Sequence, residues 1–164
     1  MTKAISRGLV LVAGLLATHG VADPDSRPAD TAANQTDPRT IRIKQYFLER
    51  DCPAHVYAAD FVQAAEQNEL DWRLLPSISM VESTGGKLAP NNNMFGWDNC
   101  DVKFVSNREG IYQVASRLKK SPFYRGKEVD GILKTYNPRQ EYASAVKAVM
   151  AQLGPPQFVP AGVF

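Results

Sequence analysis

Leu74-Leu75-Pro76-Ser77-Ile78-Ser79-Met80-Val81-Glu82-Ser83-Thr84-Gly85-Gly86 is the stretch on which the reading of this chain turns. Leu74, Leu75, Ile78 and Val81 recur at helical spacing. Asp71 stands ahead of them as a cap, and two glycines end the pattern. Pro76 falls near the first turn, where its missing N–H does least harm. Glu82 follows Ile78 by four positions and Leu75 by seven, so a helix carries it on the apolar face. A carboxylate there loses water, which favours its neutral form. In the last turn it also meets the negative end of the helix dipole. Both effects raise its affinity for a proton, the property a general acid needs. Spacing alone equally fits a glutamate whose stem covers the core while its head reaches water or an arginine.

Outward from this helix the pattern stays helical. Asp37-Pro38 opens a segment leading into Ile41, Tyr46, Phe47 and Leu48. Cys52-Pro53 breaks it. A helix then runs over 54–68, with Ala58, Phe61, Val62 and Ala65 on one face. Ser106 and Glu109 form a capping-box pattern before Ile111, Val114, Ala115 and Leu118. Residues 129–136 read as a shorter helix, Asn137-Pro138 as a turn, and 140–153 as a closing helix with Tyr142, Val146, Val149 and Leu153 inward. Residues 89–105 read as irregular, with room for a small β-hairpin. The expected fold class is mainly α, one domain over 37–153 with a Pro-containing tail over 154–164.

The first 22 residues read differently. Lys3 and Arg7 precede the apolar run Gly8 to Ala17, and Gly20-Val21-Ala22 supplies small residues for cleavage, the layout of a secretory signal. Residues 23–36 read as a flexible leader rich in Ala, Asp, Pro and Thr. The chain has 19 basic and 17 acidic side chains. Lys3 and Arg7 would leave with the signal, so the mature chain would be formally neutral, and a nucleic-acid partner loses its electrostatic support. No later stretch is long enough for a membrane span. The expected product is exported, periplasmic or secreted. In an oxidising compartment Cys52 and Cys100 would form one disulfide, stabilising the fold by about 4 kcal/mol in the chain-entropy model. Of two histidines only His55 would remain after cleavage, which argues against a metal site and against a Ser-His-Asp triad. No cofactor is expected.

What remains for chemistry is the carboxylate and its neighbours. Asn91-Asn92-Asn93-Met94-Phe95-Gly96-Trp97 is a dense run of amides and aromatics. Amides match sugar hydroxyls and N-acetyl groups, and aromatic faces stack on pyranose rings. Tyr136-Asn137 adds a hydroxyl-plus-amide pair at a helix end. Each element has a plainer reading: Phe95, Trp97 and Tyr136 as core residues, the asparagines as turn formers.

These three motifs, in this order, resemble the lysozyme superfamily in its glucosaminidase and soluble lytic transglycosylase branch. Leu75 to Ser83 with Gly85-Gly86-Lys87 is similar to its catalytic helix. Asn92 to Trp97 is similar to the Asn-rich segment that comes next, and Tyr136-Asn137-Pro138 with Tyr142 to the Tyr-Asn element and closing helix. The resemblance covers about 58–153. It implies a lysozyme-like helical domain that cleaves the β-1,4 bond between N-acetylmuramic acid and N-acetylglucosamine in peptidoglycan glycan strands. Glu82 then becomes the acid/base, and Ser83 supports it or the substrate. Asn93 and Gly96 shape a sugar groove, with Phe95, Trp97 and Asn137 on the substrate, and Tyr136 positions the glutamate or the N-acetyl group. Thr84 departs from the family, where the glycine commonly follows more directly, so the loop after the helix is expected to differ. Asp98 and Asp101 are the nearest candidates for a second carboxylate. The alternative is a non-catalytic glycan-binding module of the same fold in the cell envelope.

Overall fold

The helix expected around Glu82 forms over Leu74–Ser83 and is α3, the third of six among the described residues. The computed structural model describes residues 37–157. The segments read as signal (1–22) and leader (23–36), and the end of the tail (158–164), lie outside the described residues. Two helices precede α3: α1 (Pro38–Leu48) and α2 (Ala58–Gln67). Three come after it: α4 (Asn107–Lys120), α5 (Val129–Tyr136) and α6 (Gln140–Leu153). Short 3₁₀ turns cover Pro53–Tyr57, Pro90–Asn92 and Trp97–Cys100. The described chain is mainly α.

Apolar spacing accounts for most of the packing. Ala58, Phe61, Val62 and Ala65 of α2 are buried, as are Ile111, Val114, Ala115 and Leu118 of α4 and Leu74, Leu75 and Ile78 of α3. α3 packs on α6 and α2, α2 on α4 and α1, and α5 on α6. Phe47, Phe61 and Phe95 form a chain of rings through the centre, with centroids 5.9 and 6.5 Å apart. The packing of α6 on α3 sets Tyr142, in the first turn of α6, against the Glu82 end of α3.

Helix ends obey local chemistry. The Asp37 carboxylate accepts the Arg39 N–H at 2.8 Å, and Ser106 Oγ accepts the Glu109 N–H at 3.1 Å. The Glu109 carboxylate returns to the Val105 N–H, one residue further back than a capping box requires. Asp71 does not cap α3 directly. It accepts the Arg73 N–H at 3.0 Å and pairs with the Arg73 guanidinium at 2.6 Å. Arg73 also donates to the Gly154 carbonyl at 2.8 Å, and the Trp72 indole to that of Pro156 at 3.0 Å. The tail is thereby tied across the entrance to α3.

In α1 the core positions are Ile43, Tyr46 and Phe47, while Ile41 and Leu48 are exposed at 42% and 46%. Three expectations need correction. The helix expected from residue 54 begins as a 3₁₀ turn and becomes α-helical only at Ala58. No β-hairpin forms over 89–105, and no strand occurs among the described residues. Asn91, Asn92, Gly96, Asp98, Asn99 and Cys100 all have left-handed φ; a ladder cannot run through such a backbone. Finally, Cys52 and Cys100 are free thiols. Cys52 is buried beside Gly85, its Sγ 4.0 Å from Met80 Sδ, near Lys87 and Arg50. Cys100 lies near Tyr136.

Candidate functional site

Glu82 ends its helix half-buried. Burial raises its carboxyl above the ordinary value of 4.5, and the nearby Tyr142 hydroxyl offsets part of that rise. No cation pairs with it among the described residues. The Tyr142 hydroxyl is itself buried, with no formed hydrogen bond among the described residues. Its proton is held far above the usual phenol range, first by burial and then by the neighbouring Tyr136 and Glu82. Glu82 and Tyr142 therefore face each other as a near contact, a carboxyl and a hydroxyl both partly withdrawn from water.

The helix ends abruptly just behind the carboxylate. Thr84 adopts the left-handed conformation (φ 54°, ψ 50°) and Gly85 continues it, its N–H reaching the Ser79 carbonyl at 3.1 Å. Thr84, where the sequence departs from the pattern it resembles, is thus the capping residue itself. A Cβ on Gly85 would come within 2.8 Å of Cys52 Cβ and 2.9 Å of the Phe47 ring, so only glycine fits there. Ser83 is 2% exposed. Its hydroxyl accepts the Gly86 N–H at 3.0 Å and lies 2.8 Å from the Met94 carbonyl and 3.0 Å from that of Ser79. Ser83 therefore links α3, the glycine turn and the Asn-rich loop from behind Glu82, and has no face for a ligand.

The Asn-rich loop divides in the same way. Asn93 is 1% exposed. Its Nδ2 donates to the Trp97 and Val102 carbonyls at 2.9 and 3.1 Å, and its Oδ1 accepts the Trp97 N–H at 2.9 Å. The amide is consumed by the loop, so Asn93 shapes the wall without reaching into it. Phe95 is fully buried against Phe61, so the expectation that its ring meets a ligand does not hold. Gly96, at φ 60°, lies directly on the glutamate: a Cβ there would stand 2.6 Å from Glu82 Oε2. Its backbone forms the edge between the carboxylate and a neighbouring cavity of about 390 Å³.

That cavity is lined in part by Gly96, Trp97, Asp98 and Tyr136. Tyr136 donates its hydroxyl to the Phe95 carbonyl, and burial pushes its proton affinity well up. It stacks on Tyr142 (5.9 Å, 4°) and meets Trp97 edge-on (5.5 Å, 76°). Trp97 continues to Tyr124 (5.9 Å, 43°) and is covered by the Arg117 guanidinium at 5.4 Å. Four rings thus run in a row from Glu82 into the cavity. Asn137 stands at the end of α5, where its Oδ1 accepts the Arg139 N–H at 3.1 Å and turns the chain into α6.

The structure brings Glu82, Gly96, Trp97 and Tyr136 together and places Ser83, Asn93 and Phe95 behind them. Tyr142, which the resemblance included with the closing helix but gave no role at the site, joins it, as does Tyr124. That motif and the helical spacing from Val146 and Val149 were the available signals for the first. Tyr124, in a connection between helices, had none. Asp98 lines the cavity; Asp101 is exposed outside it. No group of three or more His, Cys, Asp or Glu side chains suited to a metal ion occurs among the described residues. No described helix is long and apolar enough to cross a membrane. No protein-family model matches the chain, and no curated protein is significantly similar to it.

Proposed function

We propose that this chain is an exported peptidoglycan-cleaving glycosidase of lysozyme-like fold, acting on the β-1,4 bond between N-acetylmuramic acid and N-acetylglucosamine. The observation that carries the reading is the state of Glu82: a half-buried carboxyl without an ion-pair partner among the described residues, its pKa raised by burial, at the edge of an aromatic-lined cavity. Such a group holds a proton at higher pH than a solvated carboxylate and can deliver it to a leaving oxygen. The row of rings suits the apolar faces of sugars. In the proposed reaction Glu82 protonates the glycosidic oxygen, the substrate's own N-acetyl group stabilises the developing cation, and Glu82 then acts as base. Attack by water gives a hydrolase; attack by the muramic 6-hydroxyl gives a 1,6-anhydro sugar, as in a lytic transglycosylase. Asp98 is the nearest carboxylate of the cavity wall, and a single-glutamate scheme does not need it.

Replacing Glu82 by Gln is expected to abolish release of soluble fragments from purified peptidoglycan while leaving the circular dichroism spectrum unchanged. Full activity in that variant rules the assignment out. A wild-type protein that binds glycan strands and releases nothing supports instead the non-catalytic module, for which the same aromatic wall would serve. Mass analysis of the fragments for anhydro ends distinguishes the two cleavage chemistries.

A further inference from the structure

The cavity extends past the motif residues to a wall that none of the motifs contains. Its far side is built by the connection between α4 and α5, residues 121–128, which carries Phe123 and Tyr124 onto the lining. This connection is held in shape. The Tyr124 and Arg125 N–H groups donate to the Ser121 carbonyl at 3.1 and 2.9 Å, and the Lys127 N–H to that of Tyr124 at 3.0 Å. The Lys127 ammonium grips Thr135 Oγ1 on α5 at 2.6 Å. From this braced turn Phe123 projects 73% exposed and makes no ring contact among the described residues. A phenyl ring carried on a braced backbone at the lining of a cavity, and left largely exposed there, offers a face to an apolar surface that arrives from solution. The polar groups around it include the Asp98 carboxylate and the Thr135 hydroxyl. A carboxylate in the lining disfavours an anionic occupant and suits one rich in hydroxyl and N–H donors.

Resting on the glycosidase reading above, we infer that the connection over 121–128 forms a second sugar-stacking subsite with Phe123 as its platform. The site then takes β-1,4-linked N-acetylhexosamine chains of more than two rings. Glu82 lies beyond one edge of the cavity, past Gly96, so a ring beside the reacting bond falls over Gly96 and Trp97, and a ring further along meets Phe123. The sequence carries two tryptophans. Trp72 is 4% exposed, its indole N–H bound to the Pro156 carbonyl, so Trp97 is the residue whose fluorescence reports on the cavity.

The test uses Glu82→Gln protein, to prevent turnover, titrated with N-acetylglucosamine oligomers of two to six units and with purified peptidoglycan glycan strands. Adding Phe123→Ala is expected to weaken binding of the longer oligomers about tenfold and leave the disaccharide unchanged. Phe123→Trp is expected to preserve or tighten long-chain binding. Because Phe123 is exposed, both variants should melt with their parent. Long-chain binding indifferent to Phe123, or equal weakening at every length, overturns the subsite while leaving the role of Glu82 standing. Absence of binding to any of these glycans by folded protein overturns both. Loss of the Glu82 assignment in the cleavage assay, with length-dependent binding through Phe123 intact, leaves a glycan-binding groove that includes this subsite.

Discussion

A carboxyl group that gives up water without gaining a cation must change its proton affinity, and among the described residues Glu82 is in that position. Its folded-state pKa lies above the ordinary 4.5 because burial penalises the charged form more than Tyr142 compensates. Between the unfolded and folded pKa values the folded protein keeps a proton that the unfolded chain releases. Stability from this residue is therefore complete below the unfolded value and is lost as pH rises through the folded one. Glu82→Gln removes the titration. The variant is expected to melt at a higher temperature than wild type at pH 8, with the gap closing as pH falls to about 4. Thermal scans across that range check it, and a wild-type protein that gains stability relative to the variant on going from pH 4 to pH 8 contradicts the burial argument. The same residue was legible from spacing alone, since i, i+4 and i+7 on an α-helix share a face wherever the helix is placed. Its partner Tyr142 was not, because sixty residues of chain separate them and only the packing of α6 on α3 brings them together.

At the scale of elements, the regular helices and the irregular loop obey different rules. The helices over 129–136 and 140–153 have the limits that capping, turn chemistry and periodicity imply. Residues 89–105 defeat that reasoning: their order comes from side chains that bond backbone, and Asn93 is the centre of it. Asn93→Ala would leave the part-buried Trp97 N–H and the carbonyls of Trp97 and Val102 without their partner. The expected cost is about 2–3 kcal/mol, read as a lowered urea midpoint at unchanged slope, with Trp97 emission shifted to the red. A variant as stable as wild type would show that the loop is held by something else. Nothing in three consecutive asparagines indicates which one turns inward; that depends on where α3 and α4 leave room.

At the scale of the whole molecule, export of the chain would lead one to expect a bridge between the two cysteines, but they are unbonded, one against Met80 and the other near Tyr136. Titration in denaturant should find two reactive thiols. In native protein Cys100 should react first, since Cys52 is fully buried and burial raises its thiol pKa. A protein with no free thiol until reduced contradicts this arrangement. Helix positions, their inward faces and the placement of an acidic side chain on one of them arise from interactions within a few residues, and these are written locally in the chain. The left-handed backbone over 91–100, the internal use of Asn93 and Ser83, the depth of Phe95, the facing of Glu82 by Tyr142 and the wall carrying Phe123 are different. The facing of Glu82 by Tyr142, the depth of Phe95 and the wall carrying Phe123 depend on segments far apart in sequence. The loop bonds of Asn93 and Ser83, though they span at most 11 residues, close only where the packed helices leave room for them.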